Sequence, residues 1–273
     1  MMSQQEKGRV FDALHQQNEI FIIPNPWDVG TARLLQQAGF PALATTGAGY
    51  AFSRGRKDGS LGREQMLEYV ADMVSATPLP VSADLESGFG DEPETVAETI
   101  RQGAEAGLVG ASIEDILSGQ GGSLYEMEFA ADRIRAAAEV VKGLPFRFML
   151  TARCENYLIG NKNIGDTIRR LQAYQEAGAD VLYAPGIASL EEIKTLVDAV
   201  DRPVNVVVGL AGANMNRQQL SSVGVRRISL GSTLSRAALG EFLRATREMM
   251  EHGTFEFAKK AIDYPTINGM FDR

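Results

Sequence analysis

Three short stretches bring together residues that could do chemistry. Asp84 and Glu86 stand two positions apart in VSADLESGFG (81–90), Glu114 and Asp115 adjoin in GASIEDI (110–116), and Arg153 ends PFRFMLTAR (145–153). In an extended strand a spacing of two turns both carboxylates of the first stretch to one face. Like charges that close push each other's pKa up unless a cation compensates. Oxygen donors with no histidine or cysteine beside them select a hard ion, with Mg2+ the natural choice and Mn2+ the substitute. The planar fork of Arg153 suits a carboxylate or a phosphonate. In TTGAG (45–49) exposed backbone N–H groups and small hydroxyls could hold a carboxylate. Each feature also has a plain structural reading: loop caps and surface charges, an ion pair, a flexible turn. The elements that carry them decide between the two.

Composition narrows the field. The chain has 273 residues, 44% hydrophobic and 23% charged, as expected of a soluble globular protein with a substantial core. A net charge of −8 and a pI near 5.0 argue against binding through nucleic-acid phosphates. The lone cysteine, Cys154, rules out an intrachain disulfide and reads as a small packed residue rather than a nucleophile. His15 and His252, the only two histidines, cannot build a multi-histidine metal site or a Ser-His-Asp triad. No apolar run approaches the ~20 residues of a membrane span, and MMSQQEKGR lacks a signal-peptide core, so a cytoplasmic protein without membrane partners is expected.

One pattern recurs along the chain: a helix-like stretch, a glycine, a short apolar run, then small or polar residues. It occurs at 34–49, 103–116, 174–186 and 220–232. Glycine caps a helix in the left-handed conformation, and the apolar run reads as a buried strand. Further strand candidates are EIFIIPN (19–25), LPVSAD (79–84), PFRFMLTAR (145–153) and RPVNVVVG (202–209), giving eight in all. Helical periodicity fills 92–106, 131–143 and 165–177, and NPWD (25–28) reads as a helix start with Asp28 as cap and Trp27 packed. Eight strands alternating with helices predict a single (β/α)8 barrel domain, in preference to a doubly wound sheet, over residues 1–273. Such barrels carry their chemistry at the carboxyl ends of the strands. There the pattern places Thr45, Thr46 and Gly47, then Asp84 and Glu86, then Glu114 and Asp115, then Arg153.

The segments TTGAGYAFSRGRKDG, ADLESGFGD, GASIEDI and TARCENYLIG, running in order between NPWDVGTARLL and AIDYPTINGMF, resemble the isocitrate lyase / phosphoenolpyruvate mutase superfamily. The resemblance implies a TIM barrel that assembles as a homotetramer or homodimer, with the C-terminal helical segment, about 240–273, exchanged between subunits. It also implies an enzyme that uses Mg2+ to hold a 2-oxo acid and stabilise an enolate while a C–C or P–C bond is made or broken. Residue by residue, Asp84 would contact the ion, while Asp58, Glu86 and Glu114 hold its waters. Thr46, Gly47 and Ala48 would bind the substrate carboxylate, with Arg153 as the substrate-binding arginine. Arg153, Asp58 and Glu114 are accordingly the catalytic candidates.

Departures from the family matter too. The stretch after IED, ILSGQGGSLYEMEF (116–129), has neither the cysteine segment of the isocitrate and methylisocitrate lyases nor the lysine and asparagine of the mutases. YAPGI (183–187) lacks the mutase histidine and the methylisocitrate lyase glutamate. Ala44 replaces an aromatic residue whose space Tyr50 could fill, and Asn205 could reach the substrate from the seventh strand, with Tyr183 a weaker candidate. The loop around 117–125 reads equally as a lid or as an ordinary mobile loop. These features together predict a Mg2+-dependent lyase acting on a small 2-oxo or 2-hydroxy polycarboxylate, oxaloacetate-decarboxylase-like or methylisocitrate-lyase-like. The competing readings are a P–C bond enzyme, of the phosphonopyruvate hydrolase or mutase type, and an inactive 2-oxo acid binding protein. A phosphate-binding isomerase, suggested by VGLAG (208–212) and SLGST (229–233), would leave the acids without a role.

Overall fold

Eight short runs form strands: β1 Phe21–Ile23, β2 Leu43–Ala44, β3 Val81–Asp84, β4 Gly110–Glu114, β5 Met149–Arg153, β6 Val181–Tyr183, β7 Val204–Val207 and β8 Arg227–Ser229. The computed structural model describes residues 2–117, 122–210 and 215–271. The strands lie parallel in the order β1-β8-β7-β6-β5-β4-β3-β2. The two outer strands are drawn together where Ala44 N–H donates to the Pro24 carbonyl at 3.0 Å. Asn25 strengthens that seam, donating to the Thr45 carbonyl and accepting from Leu230 and Gly231 N–H at 2.9–3.0 Å. The result is the expected (β/α)8 barrel, nearly closed.

Local sequence explains the elements. Asp28 caps the helix Val29–Gln37, accepting from Thr31 N–H at 2.7 Å, and Pro93 opens the helix Pro93–Glu105. Two of the helix-to-strand glycines, Gly107 and Gly178, adopt φ of 100° and 111°. A Cβ there would also strike Val74 or Ala138, at 2.6 and 2.7 Å. The predicted helix 131–143 begins earlier, as Met127–Gly143.

The barrel interior is layered. At its amino end, Phe21, Ile23, Met149 and Val181 pack with Phe11 of the helix Gln4–Gln16. Gly8 allows that helix to dock, because a Cβ would lie 2.2 Å from the Arg147 carbonyl oxygen. Further along the strands the inward positions turn polar, with Ser82, Ser112, Thr151, Asn205 and Ser229. Branched aliphatics dominate this layer in most such barrels.

The carboxyl-terminal part comprises the helix Thr233–His252, a 3-10 turn Glu256–Lys260 and the short helix Tyr264–Gly269. It leaves Phe242, Met250 and Tyr264 exposed by 64%, 86% and 77%, although Gln37 donates to the Met270 carbonyl. Among the described residues no helix is long and apolar enough to cross a membrane.

Candidate active site

The period of two along β3, β4 and β5 sets the site. Ser82 and Asp84, Ser112 and Glu114, Thr151 and Arg153 share the inward face, and parallel registry pairs Glu114 with Arg153. Arg153 uses all three guanidinium nitrogens on carboxylates. Nη1 donates to Asp84 Oδ1, Nη2 approaches Glu114 Oε2 and Nε donates to Glu155 Oε1, each at 2.9 Å. Its guanidinium carbon lies 5.2 Å from the centre of the Tyr183 ring. Burial alone would lower the Arg153 pKa, but Glu114, Glu155 and Asp84 outweigh it and hold the group well above its ordinary value. Arg153 is thus an ion-pair partner of the acids, as one of its two sequence readings allowed.

The acids outnumber that single cation. Burial, then the charges of Asp84 and Asp58, pushes the Glu86 carboxyl up to about 7. Glu114 and Glu155 are raised by burial, which outweighs Arg153. Asp58, in the exposed loop after the second strand, is raised by desolvation and by Asp84. Glu86 itself sits at φ 50°, and Phe89 at φ 61°, conformations that cost a non-glycine residue energy and recur at functional sites. Arg133 secures this strained loop. Buried against the Tyr125 ring at 4.0 Å, it donates to the carbonyls of Ser87 and Gly90. Asp84 N–H in turn donates to Thr45 Oγ1 at 2.9 Å, linking the ends of β2 and β3.

The remaining predicted residues divide. Thr46 caps the helix Gly47–Ser53 by accepting from Gly49 N–H, and a Cβ on Gly47 would come within 3.4 Å of Glu86 Oε1. The segment that the family resemblance assigns to carboxylate binding therefore lies against the acids, with Ala48 following Gly47 in that helix. Asn205 and Tyr183 line the same cavity as Asp84 and Arg153, which measures about 60 Å³. Tyr50 stands elsewhere. Its ring stacks on Tyr69 at 4.1 Å and 4°, and it lines a separate cavity with Arg54 and Gln65. Cys154 is buried with its thiol pushed well above the ordinary range by burial and then Asp115, an environment that suits a packed residue rather than a thiolate. Residues 118–121 of the suggested lid and 211–212 of VGLAG lie outside the described residues. The flanks of the lid segment are tied by the Ile116–Leu124 bridge and by Leu117 N–H donating to Ser123.

Glu155 and Arg133 escaped the sequence reading. Glu155 carried a signal, since it stands two residues after Arg153 and so follows the same alternation. Arg133 carried none, because an arginine in an amphipathic helix reads as solvated.

Among the described residues no three acids stand as a preformed metal-ligand set. The donor chemistry nevertheless fits a hard divalent ion: every candidate ligand is a carboxylate, and the guanidinium of Arg153 supplies one positive charge among Asp84, Glu114 and Glu155.

Fold and site define a (β/α)8 barrel with a cluster of acids around one arginine at the carboxyl ends of its strands. The sequence signature of the phosphoenolpyruvate phosphomutase family matches residues 11–250. The chain belongs to that family, and with it to the PEP mutase/isocitrate lyase superfamily of enzymes. A Burkholderia cenocepacia J2315 protein, provisionally termed a lyase/mutase, is 55% identical, with 99% of this chain and 97% of that one covered and a TM-score of 0.96. The 2-methylisocitrate lyase of Halalkalibacterium halodurans is 29% identical over 265 residues, 93% of this chain and 85% of its own. Oxaloacetate acetylhydrolase in complex with the inhibitor 3,3-difluorooxalacetate is 25% identical, with a TM-score of 0.86 and coverage of 98% and 93%.

Proposed function

We propose that this chain is a Mg2+-dependent lyase that cleaves a C–C bond, or decarboxylates, a small 2-oxo or 2-hydroxy di- or tricarboxylate through an enolate. The observation that carries the reading is the surplus of carboxyl groups around Arg153: Asp58, Asp84, Glu86, Glu114 and Glu155 answer one guanidinium. Such a surplus, with Glu86 pushed up to about 7, is the electrostatic condition that a divalent cation relieves.

Asp84 would hold the ion directly, with Asp58, Glu86 and Glu114 on its waters. When bound, Mg2+ supplies positive charge at the 2-oxo oxygen, where negative charge develops as the bond breaks. The chain's own groups do the rest. Thr46, Gly47 and Ala48 hold the substrate's 1-carboxylate beside Glu86. Arg153, which meets Asp84 and Glu114 at 2.9 Å, would present its planar fork to the developing enolate oxygen. Asn205 lines the cavity from β7 and orients the substrate from that side. In a 2-oxo diacid the electrons of the broken C–C bond pass to the 2-oxo oxygen, CO2 leaves, and the enolate then takes a proton from water. In a 2-hydroxy acid the hydroxyl loses its proton and its oxygen becomes the carbonyl of the departing 2-oxo acid. The bond electrons then pass as an enolate to the remaining carboxylate fragment, which is protonated. The exposed apolar residues Phe242, Met250 and Tyr264 fit exchange of the C-terminal segment with a second copy, giving a homo-oligomer.

A screen of 2-oxo and 2-hydroxy acids with Mg2+, read by pyruvate or glyoxylate formation, tests the proposal. Turnover of oxaloacetate or a methylisocitrate-type substrate, lost with EDTA and in Asp84→Ala, is the expected result. Phosphate release from phosphonopyruvate would instead assign P–C chemistry, and binding of 2-oxo acids without turnover would assign a binding protein.

A further inference from the structure

At the start of β8 two adjacent arginines, Arg226 just before the strand and Arg227 its first residue, point to opposite sides. Arg226 is half-buried and donates to the Asn18 carbonyl at 3.0 Å, whereas Arg227 is 5% exposed inside the barrel. Its guanidinium has three partners. Nε donates to Asn205 Oδ1 at 2.8 Å, Nη2 donates to Thr151 Oγ1 at 3.0 Å, and Nη1 lies 3.2 Å from His15 Nε2. All three are neutral. His15 Nδ1 faces the Phe11 carbonyl at 2.8 Å, so Nδ1 carries the proton and Nε2 accepts from Arg227. Burial, followed by the charge of Arg227, drives the His15 pKa down to about 3, which keeps the ring uncharged.

Among the described residues no carboxylate pairs with Arg227. Burial lowers its pKa to about 10, so it remains a cation at neutral pH. Dipoles alone compensate a buried charge poorly. Arg227 also lines the cavity that reaches Asp84 and Arg153, together with Asn205, Ser229 and Tyr183. At about 60 Å³ the cavity exceeds the roughly 10–15 Å³ that one water needs, so a compact ion or a terminal carboxylate fits. Ser229, two residues along on the same face, accepts from Asn205 Nδ2 at 3.0 Å and also hydrogen-bonds the Tyr183 hydroxyl, which holds it at the cavity wall beside Arg227.

We propose that Arg227, with Asn205 and Ser229, forms an anion seat at the inner end of the barrel cavity, taking one compact monoanionic group: a carboxylate or a halide-sized ion. A carboxylate there would be the distal one of a substrate held at the strand ends. A free anion is the other source. The seat stands on Arg227 and its neighbours, whichever reaction occurs above it.

Anomalous scattering from crystals of the full chain in sodium bromide gives the test. Bromide beside the Arg227 guanidinium is expected, with a melting temperature about 3 °C above that in gluconate at equal ionic strength. The shift should vanish in Arg227→Met and persist in Arg153→Met. Adding succinate separates the sources. If a carboxylate replaces bromide at Arg227, the seat serves a dicarboxylate substrate; if bromide stays, it serves a free anion; both sustain the proposal. Neither bromide nor carboxylate density at Arg227 in the wild-type crystals overturns it, and that result stands even if Arg227→Met fails to fold.

Discussion

The carboxyl end and the inner end of the barrel cavity each present one arginine, and their surroundings are opposite. Arg153 meets three carboxylates at 2.9 Å and is surrounded by more negative charge than it can neutralise. Arg227 meets an amide, a hydroxyl and a neutral imidazole. One end is short of positive charge and the other of negative charge. The difference teaches that burial alone does not make an ion pair structural or functional. What counts is the charge left over, and here the two residues of charge have opposite signs within one cavity.

Breaking the comparison at Arg153 should have the largest effect. Arg153→Met is expected to lower kcat by about 10²–10³-fold, since it removes the planar donor from the developing oxyanion. It also strands Asp84, Glu114 and Glu155. In EDTA this should cost about 3–5 kcal/mol of unfolding free energy, measured by urea titration. Added Mg2+ should recover part of that loss. The same experiment on Arg227→Met should show a loss that Mg2+ does not recover, because no acid is left unpaired there.

Proton linkage sharpens the account of the carboxyl end. Burial, then the charges of Asp84 and Asp58, raises the Glu86 pKa to about 7 in the folded chain, from an ordinary value near 4.5. The folded state therefore holds a proton that the unfolded chain releases within this window, so stability in EDTA falls as pH rises from about 4.5 to 7. Denaturation at the two ends of the window should differ by on the order of 1–3 kcal/mol. Asp58, Glu114 and Glu155 shift in the same direction and add to the sign. Mg2+ needs the ionised carboxylates, so its apparent affinity should rise with pH through about 7.

Smaller effects test the neighbours. In Gly47→Ala the new methyl would meet Met66 Cε at 3.3 Å and Glu86 Oε1 at 3.4 Å. A rise in substrate KM with stability altered by no more than about 1–2 kcal/mol is expected. Cys154→Ala should leave kcat within about twofold and cost only about 1 kcal/mol, because the thiol is fully buried and its burial disfavours the thiolate.

The carboxyl end was legible in the sequence because alternation and fold agree there. Once the strands ending at Asp84, Glu114 and Arg153 are recognised, the period of two turns all three inward, and parallel pairing brings them together. The strands themselves were legible through the helix–glycine–apolar repeat, whose glycines take left-handed conformations at Gly107 and Gly178. The inner end was not legible. VGVRRISLGS contains two adjacent arginines, and only the barrel's phase decides that Arg227 turns inward and Arg226 outward. His15, weighed in the sequence only as too solitary for a metal site, sits beneath Arg227 because of how the first helix docks against the barrel. Tyr50 could fill the space of the aromatic that Ala44 replaces, but its stacking on Tyr69 follows from the packing of two helices that local pattern does not reveal.

Binding of Mn2+ in place of Mg2+, followed by electron paramagnetic resonance, tests the central claim most directly. The account predicts one Mn2+ per chain, displaced by Mg2+ and abolished in Asp84→Asn, while Arg227→Met binds the ion like wild type. No saturable Mn2+ binding, or binding unchanged in Asp84→Asn, would contradict it.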